Sequence, residues 1–350
     1  MLKVGIAGIG FMGWIHWLAY QKQTDISVAA ICTPEPERRQ GDWTKIQGNF
    51  GPPGEQVDLT GIAAYEHLDD LLGDDSIDVI DICLPPAMHA DMICRAAEAG
   101  KHVFCEKPLA LNLEDCDRAV AACQSAGTML MVGQVLPFFP EFAFAKRIVD
   151  EGKYGRLLGG TFKRVISDPA WLDGFYDPKK IGGPLFDLHV HDAHFIRLLF
   201  GMPQGLTSKG RIRGEVVDYC QTLFDYGNNG PIVSCTSGVI NQQARPFTHG
   251  YEIHLEKCTL QFEFAGLADQ PELMPAKLLA ADGEVIRPEL GDGDPTLAFV
   301  AELKHAADCF TKETPSEILG GALARDAIQL CSMQATSVLE NRAVGLDEAS

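Results

Sequence analysis

Two stretches of this sequence combine side-chain types and spacings that can do chemistry. One is Asp187-Leu188-His189-Val190-His191-Asp192-Ala193-His194. On a helix, Asp187, His191 and His194 share a face at i, i+4 and i+7, and His189 points roughly the opposite way. An imidazole titrates near neutrality and serves as general acid or base, while a carboxylate one turn earlier can fix a substrate or orient the ring. That face gathers only three ligands, so no metal is expected there. The other stretch is Gly8-Ile9-Gly10-Phe11-Met12-Gly13. Gly8 permits a tight turn, Gly10 lets the backbone approach a pyrophosphate, and Gly13 lets a helix pack close to a strand. The helix start at Phe11 and Met12 offers N–H groups and a positive dipole end to phosphates.

The elements around these residues follow from periodicity. Residues 3–7 read as a strand, 11–23 as a helix and 27–32 as a second strand, the context a dinucleotide fingerprint requires. Strand 77–84, helix 87–99, strand 101–105, helix 112–126 and strand 128–133 continue the alternation. Such alternation predicts a parallel sheet with right-handed crossovers, whose ligands sit beyond the carboxyl ends of the strands. Cys32-Thr33, Leu84-Pro85-Pro86 and Glu106-Lys107-Pro108 occupy those ends. Residues 40–62, rich in Gly with Pro52-Pro53 adjacent, read as a loop wandering over the surface. Beyond about residue 156 the strands at 157–165, 219–225, 232–237, 251–255 and 259–264 follow one another, before helices at 297–310 and 321–339. The expected fold is therefore α/β: a doubly wound Rossmann domain over residues 1–135, then an α+β domain over 136–350 with a mostly antiparallel open sheet and helices on one face.

At the end of the second strand, where an NAD enzyme usually carries Asp or Glu for the ribose 2′-OH, stands Thr33, followed by Pro34 and Glu35. Arg38 and Arg39 are within reach of a 2′-phosphate. The sequence therefore leans slightly toward NADP over NAD, with Glu35 able to restore the NAD preference.

Glu106-Lys107-Pro108, preceded by Leu84-Pro85-Pro86 with His89 and followed by Gly182-Gly183-Pro184-Leu185-Phe186-Asp187 with His191, resembles the landmarks of the glucose–fructose oxidoreductase/inositol dehydrogenase family in their order. The resemblance covers nearly the whole chain. It implies an NAD(P)-dependent oxidoreductase acting on the CH–OH group of a sugar, polyol or related ketone. It implies that Lys107 polarises the reacting oxygen beside the nicotinamide, that Glu106 lies near the nicotinamide ribose, and that Leu84, Pro85 and His89 line the cofactor. It also implies that His191 is the general acid/base and Asp187 a substrate-binding carboxylate. An ammonium beside a C–O bond stabilises a developing alkoxide, which agrees with the role for Lys107. His194 stands where many relatives have an acid. Trp171, Tyr176, Asp177 and Lys180 resemble a loop bordering the substrate, and Arg164, at a strand end, is a further substrate candidate. Relatives associate through the open face of the second sheet, so a homo-oligomer is expected.

Composition narrows the alternatives. The net charge is −19, from 48 acidic against 29 basic residues, which repels nucleic acid and anionic membrane surfaces. The 11 cysteines include no Cys-x-x-Cys pair; Cys83, Cys94, Cys105 and Cys116 fall on alternating strands and helices and read as buried reduced thiols. No leader is recognised and no apolar run reaches the roughly 20 residues of a membrane span, so a cytoplasmic location is expected. Two other functions fit the same fold: a dinucleotide-sensing regulator without turnover, and an NAD-assisted glycoside hydrolase.

Overall fold

The run Leu2–Ala7 is buried continuously from Val4 onward, as befits a central strand covered on both faces. In the computed structural model, which describes residues 1–291 and 293–348, it forms β1. It is followed by α1 (Phe11–Tyr20), β2 (Ile26–Cys32), α2 (Pro36–Arg39), β3 (Ala63–Tyr65), α3 (Leu68–Leu72) and β4 (Val79–Ile82). Next come α4 (His89–Glu98), β5 (His102–Glu106), α5 (Leu113–Ala126), β6 (Leu130–Gly133), α6 (Pro140–Asp150) and β7 (Leu157–Ser167). A π-helical turn (Leu185–His189) leads into α7 (Val190–Phe200). Then follow β8 (Gly205–Arg213), β9 (Val216–Asp225), β10 (Ile232–Ile240), β11 (Phe247–Leu255), β12 (Cys258–Gly266), β13 (Glu272–Ala280) and β14 (Val285–Ile286). The chain closes with α8 (Thr296–Lys312), α9 (Gly321–Glu340) and β15 (Val344–Gly345).

These elements gather into two compact units that are not consecutive in sequence. The first takes Met1–Ala110, Glu114–Phe139 and Gly293–Arg325; the second takes Leu111–Leu113, Pro140–Asp292 and Asp326–Ser350. In the first unit a six-stranded sheet runs β3-β2-β1-β4-β5-β6 with every pairing parallel. That is the doubly wound Rossmann order, with its switch point between β1 and β4. The helix expected at 297–310 forms as α8, yet it serves this first unit: Phe299, Leu303 and Ala306 share a buried cluster with Trp14 and Ile15 of α1.

Residues 40–62 form a largely exposed loop, as their Gly and Pro content suggests, but a few of its side chains are anchored in the core. Trp43 is fully buried, its ring edge-on to Trp14 at 5.9 Å and Trp17 at 5.0 Å. The Trp14 indole N–H donates to Pro52 O at 2.9 Å, and Phe50 stacks on Phe299 at 5.4 Å. Three indoles and a phenyl stack pin the loop to the core at Trp43 and Phe50, because aromatic area rather than strand or helix periodicity holds it down.

In the second unit nine strands run β14-β13-β12-β11-β7-β10-β9-β8-β15, antiparallel apart from the β7/β10 pair. On β9 the residues Cys220, Thr222 and Phe224 are buried while Gln221, Leu223 and Asp225 are exposed, so one face of the sheet is covered and the other open. No helix among the described residues is long and apolar enough to cross a membrane. All eleven cysteines are free thiols, and only Cys83 and Cys94 are incompletely buried.

Candidate functional site

The glycine turn between β1 and α1 has three glycines with three different geometries. Gly8 has φ +99°, and a Cβ there would sit 2.6 Å from Cys83 O. A Cβ on Gly13 would lie 2.2 Å from Gly8 O, so the first turn of α1 rests directly on the turn that starts it. A Cβ on Gly10 would meet nothing within 4 Å. The turn is therefore closed on the protein side and open at Gly10, the N-cap of α1. An open N-cap with unpaired helix N–H groups is a cradle that fits a pyrophosphate. Phe11 lies edge-on to Phe50 at 4.9 Å and Met12 is half-buried, so their contribution to that cradle is through backbone N–H groups.

At the end of β2 Thr33 is buried, and its hydroxyl donates to the Glu35 carboxylate. Arg38 also reaches Glu35, at 3.2 Å, and Arg39 donates to Thr33 O and to Glu66, both at 2.8 Å. The Thr33 hydrogen bond, with both guanidiniums nearby, holds the Glu35 carboxyl below its usual range despite partial desolvation. The carboxylate displaced by two residues in sequence is thus tied back to the strand end.

At the ends of β4 and β5, His89 is buried with Nδ1 2.7 Å from Pro108 O and Nε2 2.8 Å from Leu84 O. The ring lies between these two carbonyls and, with a single N–H in its neutral form, donates to one of them, so His89 ties the Leu84-Pro85 turn to the Lys107-Pro108 turn. Burial pulls its pKa down, partly offset by those two carbonyls. The Lys107–Pro108 peptide is cis, and Lys107 is half-buried with its backbone N–H donating to Glu106 at 3.2 Å.

Behind Glu106 lies a buried polar cluster the sequence reading did not identify. His16 of α1 is fully buried with Nδ1 2.8 Å from Asp81 Oδ2 and Nε2 3.0 Å from Glu106 Oε1. The Tyr20 hydroxyl donates to the same Asp81 at 3.0 Å, and Cys83 Sγ is 3.3 Å from Nδ1. His16, Asp81 and Cys83 also lie close enough together to hold a metal ion. The signal was available as single charged residues inside apolar strings: His16 within WIHWLAY and Asp81 within VIDI.

The second unit holds the other candidates. The expected single helical face from Asp187 is interrupted, because residues 185–189 form a π turn before α7 begins. Two consecutive glycines with positive φ, Gly182 (+87°) and Gly183 (+75°), feed that turn. Asp187 and His191 are half-buried and retain access, whereas His189 and His194 are fully buried. His189 has Nδ1 3.6 Å from Cys235 Sγ and a pKa lowered by burial. Arg164 does not project free into a pocket: it is buried and bound to Asp192 at 2.6 and 3.2 Å, with its guanidinium 5.8 Å from the Phe247 ring centre. Trp171 is 76% exposed and Lys180 exposed; Tyr176 donates to Asp168 at 2.8 Å.

Comparison with known proteins now decides the family. A model described as "Oxidoreductase family, NAD-binding Rossmann fold" matches residues 2–134, and the "GFO/IDH/MocA C-terminal domain" matches residues 142–261. The chain belongs to the GFO/IDH/MocA oxidoreductase family. Scyllo-inositol 2-dehydrogenase (NAD(+)) of Bacillus subtilis is 35% identical over 73% of this chain and 70% of its own length. Inositol 2-dehydrogenase of Rhizobium meliloti is 28% identical over 73% of this chain and 72% of its own. Other curated relatives are matched over about half their length, as with the 53% of an uncharacterised oxidoreductase of Streptococcus pneumoniae. Among solved structures, levoglucosan dehydrogenase in complex with NADH and levoglucosan shares the fold with TM-score 0.79 at 22% identity, over 99% of each chain. For a GFO/IDH/MocA protein the nucleotide-binding half is the better marked: its turn, β5 end and sheet order all follow the Rossmann pattern.

Proposed function

We propose that this chain is an NAD(P)-dependent oxidoreductase that moves a hydride between the cofactor and the CH–OH carbon of a sugar, polyol or related ketone. The observation that carries the reading is the open Gly10 cradle at the switch point of a parallel sheet that also ends, at β5, in Glu106-Lys107. A nicotinamide dinucleotide bound there supplies the two-electron acceptor or donor. In this reading the Lys107 ammonium stabilises negative charge building on the substrate oxygen. His191, half-buried, takes the hydroxyl proton, with Asp187 as the carboxylate that binds substrate or orients the ring. Inositol dehydrogenases among the relatives favour a polyol substrate.

Glu35 bears on the choice of cofactor. Both nearby arginines already have acidic or carbonyl partners, and the carboxylate is retained at the β2 end. A retained acid accepts from a ribose 2′-OH and repels a 2′-phosphate, so this reading reverses the slight sequence lean and favours NAD. Leu223 and Ile232 stand exposed on the open face of the second sheet, which supports association of copies through that face. Light scattering on the purified protein tests this; a monomer at micromolar concentration would remove it.

The activity test is absorbance at the reduced-nicotinamide band with a polyol and sugar panel, run with NAD and NADP separately. Net cofactor reduction is expected with at least one polyol, faster with NAD. Lys107→Ala and His191→Ala should each lower kcat by roughly 10²–10⁴-fold, the usual worth of a positioned proton-transfer group. Relatives also include 2,7-anhydro-N-acetylneuraminate hydratases. Product formation with no net change in reduced cofactor would therefore move the assignment to a hydratase- or hydrolase-type reaction, and full turnover in both variants would remove Lys107 and His191 from the mechanism.

A further inference from the structure

Residues 42–56 close on themselves as a compact loop whose tip rests on the start of α1. The base is tied by an antiparallel bridge between Asp42 and Gln56 and by the Val57 N–H, which donates to Gly41 O at 2.8 Å. Buried Trp43 and Ile46 fill the interior, and the Gly54 N–H donates across it to Ile46 O at 2.9 Å. A loop of this length, closed at its ends and packed by its own side chains, belongs to a class that is frequently functional. The tip, residues 48–52, touches the first turns of α1 and the start of α8. A Cβ on Gly48 would lie 1.8 Å from the Phe11 ring, so that ring lies directly on the Gly48 backbone. Phe50 meets the same ring edge-on at 4.9 Å and stacks flat on Phe299 at 5.4 Å. Gly51 has φ +73°, and a Cβ there would sit 2.8 Å from Ile15 and 3.5 Å from Thr296. Pro52 O accepts from the Trp14 indole at 2.9 Å.

The start of α1 needs such support. Its first N–H groups have no intrahelical acceptor. Its N-cap, Gly10, offers no side-chain hydrogen bond, and its first turn contains no acidic residue. A capping side chain or a carboxylate there would stabilise the helix end but would occupy or repel the approach of a phosphate. The turn is therefore held from the side, through the ring of Phe11, the first residue of α1. We propose that Gly48 and Phe50 are positioning residues for the cofactor, which cage the Phe11 ring and so hold the first turn of α1 in its pyrophosphate-binding arrangement before the cofactor arrives. The inference rests on the reading that the pyrophosphate lies against Gly10. When the cage is broken, the turn spends only part of its time in that arrangement, and the apparent affinity falls by the same fraction.

The experiment is isothermal titration calorimetry of the intact protein with NAD+, ADP-ribose and adenosine, on wild type, Phe50→Ala, Phe50→Tyr, Gly48→Ala and Gly10→Ala. Phe50→Ala removes the edge-on pair, and Gly48→Ala pushes the Phe11 ring aside without removing any core area. The second variant covers the case in which the first does not fold. Both should weaken NAD+ and ADP-ribose, which share the pyrophosphate, by one common factor of roughly two- to tenfold, the worth of one aromatic pair. Adenosine, which has no phosphate, should bind as it does to wild type, and Phe50→Tyr, which keeps the ring, should restore wild-type affinity for all three. A loop that is only structural would lower the melting temperature of both variants and leave every dissociation constant unchanged. That result, or an equal weakening of adenosine, overturns the role of the loop. If Gly10→Ala weakens NAD+ while Phe50→Ala and Gly48→Ala do not, the inference falls and the cradle stands. If Gly10→Ala itself binds NAD+ as wild type does, the cradle reading fails and the inference with it.

Discussion

Adding one methyl group to the glycine turn should have opposite consequences at two positions three residues apart. At Gly13 the new Cβ would lie 2.2 Å from Gly8 O and 3.2 Å from Gly8 C, both backbone atoms that cannot rotate away. An ordinary carbon–oxygen contact is about 3.2–3.5 Å, so the start of α1 must retreat from the turn by roughly 1 Å, an overpacking strain worth about 1–3 kcal/mol. Gly13→Ala should therefore lower the melting temperature of the cofactor-free protein and also weaken cofactor binding, because the helix N–H groups move with the helix. At Gly10 φ is −100° and no atom lies within 4 Å of the added carbon. Gly10→Ala should then change the unliganded melting temperature little, costing only the few tenths to about 1 kcal/mol by which Ala is a poorer N-cap than Gly. Its methyl occupies the approach a pyrophosphate needs, and binding should weaken by about tenfold or more, ~1.4 kcal/mol. The measurements are thermal melts without cofactor and fluorescence titrations with NAD+ and NADP+. The cradle argument is refuted if Gly10→Ala binds as tightly as wild type, and the helix-contact argument if Gly13→Ala melts as wild type does.

Three further outcomes follow from the packing and protonation already described. Trp43→Ala removes a fully buried indole and should cost about 3–5 kcal/mol in denaturant unfolding, whereas Trp171→Ala, at a site 76% exposed, should stay within about 0.5 kcal/mol; equal effects would deny that Trp43 anchors the 40–62 loop. His89→Leu takes the ring N–H away from the carbonyl it bonds, Leu84 O or Pro108 O, and should destabilise by about 1–3 kcal/mol, read by calorimetry; an unchanged melt would deny the brace. His249 is buried among Phe142, Phe247, Phe262 and Phe264, and burial, then the Arg164 charge, holds its pKa well below the ordinary 6.5. The unfolded chain binds a proton there below about pH 6.5 and the folded one does not, so stability falls as pH drops, by up to about 1.4 kcal/mol per pH unit from this group. His249→Phe should flatten that acid limb between pH 6.5 and 5, and an unaltered slope would show that His249 does not carry it.

What could be read from the sequence and what could not divide along a physical line. The glycine turn was legible because each glycine answers a local steric demand, and those demands reappear as the contacts at Gly8 and Gly13. Parallel alternation was legible because β1, β4 and β5 are short apolar strands with marked helix ends between them. The anchoring of the 40–62 loop was not legible because Trp43 and Phe50 act at long range, through rings supplied by α1 and α8, while Gly and Pro speak only for local backbone. The second sheet was incompletely legible for a related reason. β8 is mostly exposed along its length and β13 carries Pro275, so neither shows clean alternation, and the parallel β7/β10 pairing joins strands with two others adjacent in space but not in sequence. Arg164 was offered to the substrate because a sequence cannot say that Asp192, 28 residues on, claims its guanidinium.

The least expected feature, the buried polar cluster under Glu106, is also the one that stability alone does not explain. Desolvating ionisable groups costs several kcal/mol for each that is charged, and mutual attraction offsets this only when geometry is good. Apolar groups of similar volume at His16, Asp81 and Tyr20 would pack against Phe104 and Phe299 without that cost, and such replacements are often neutral or stabilising. Glu302 sharpens the point: a carboxyl buried without a hydrogen-bond partner is a net loss wherever an Ala or Leu would fit on α8. A sheet that needed only a core would not carry these groups. They are intelligible as side chains that hold the Glu106 carboxyl group in place at the end of β5, where the Rossmann order places a ligand.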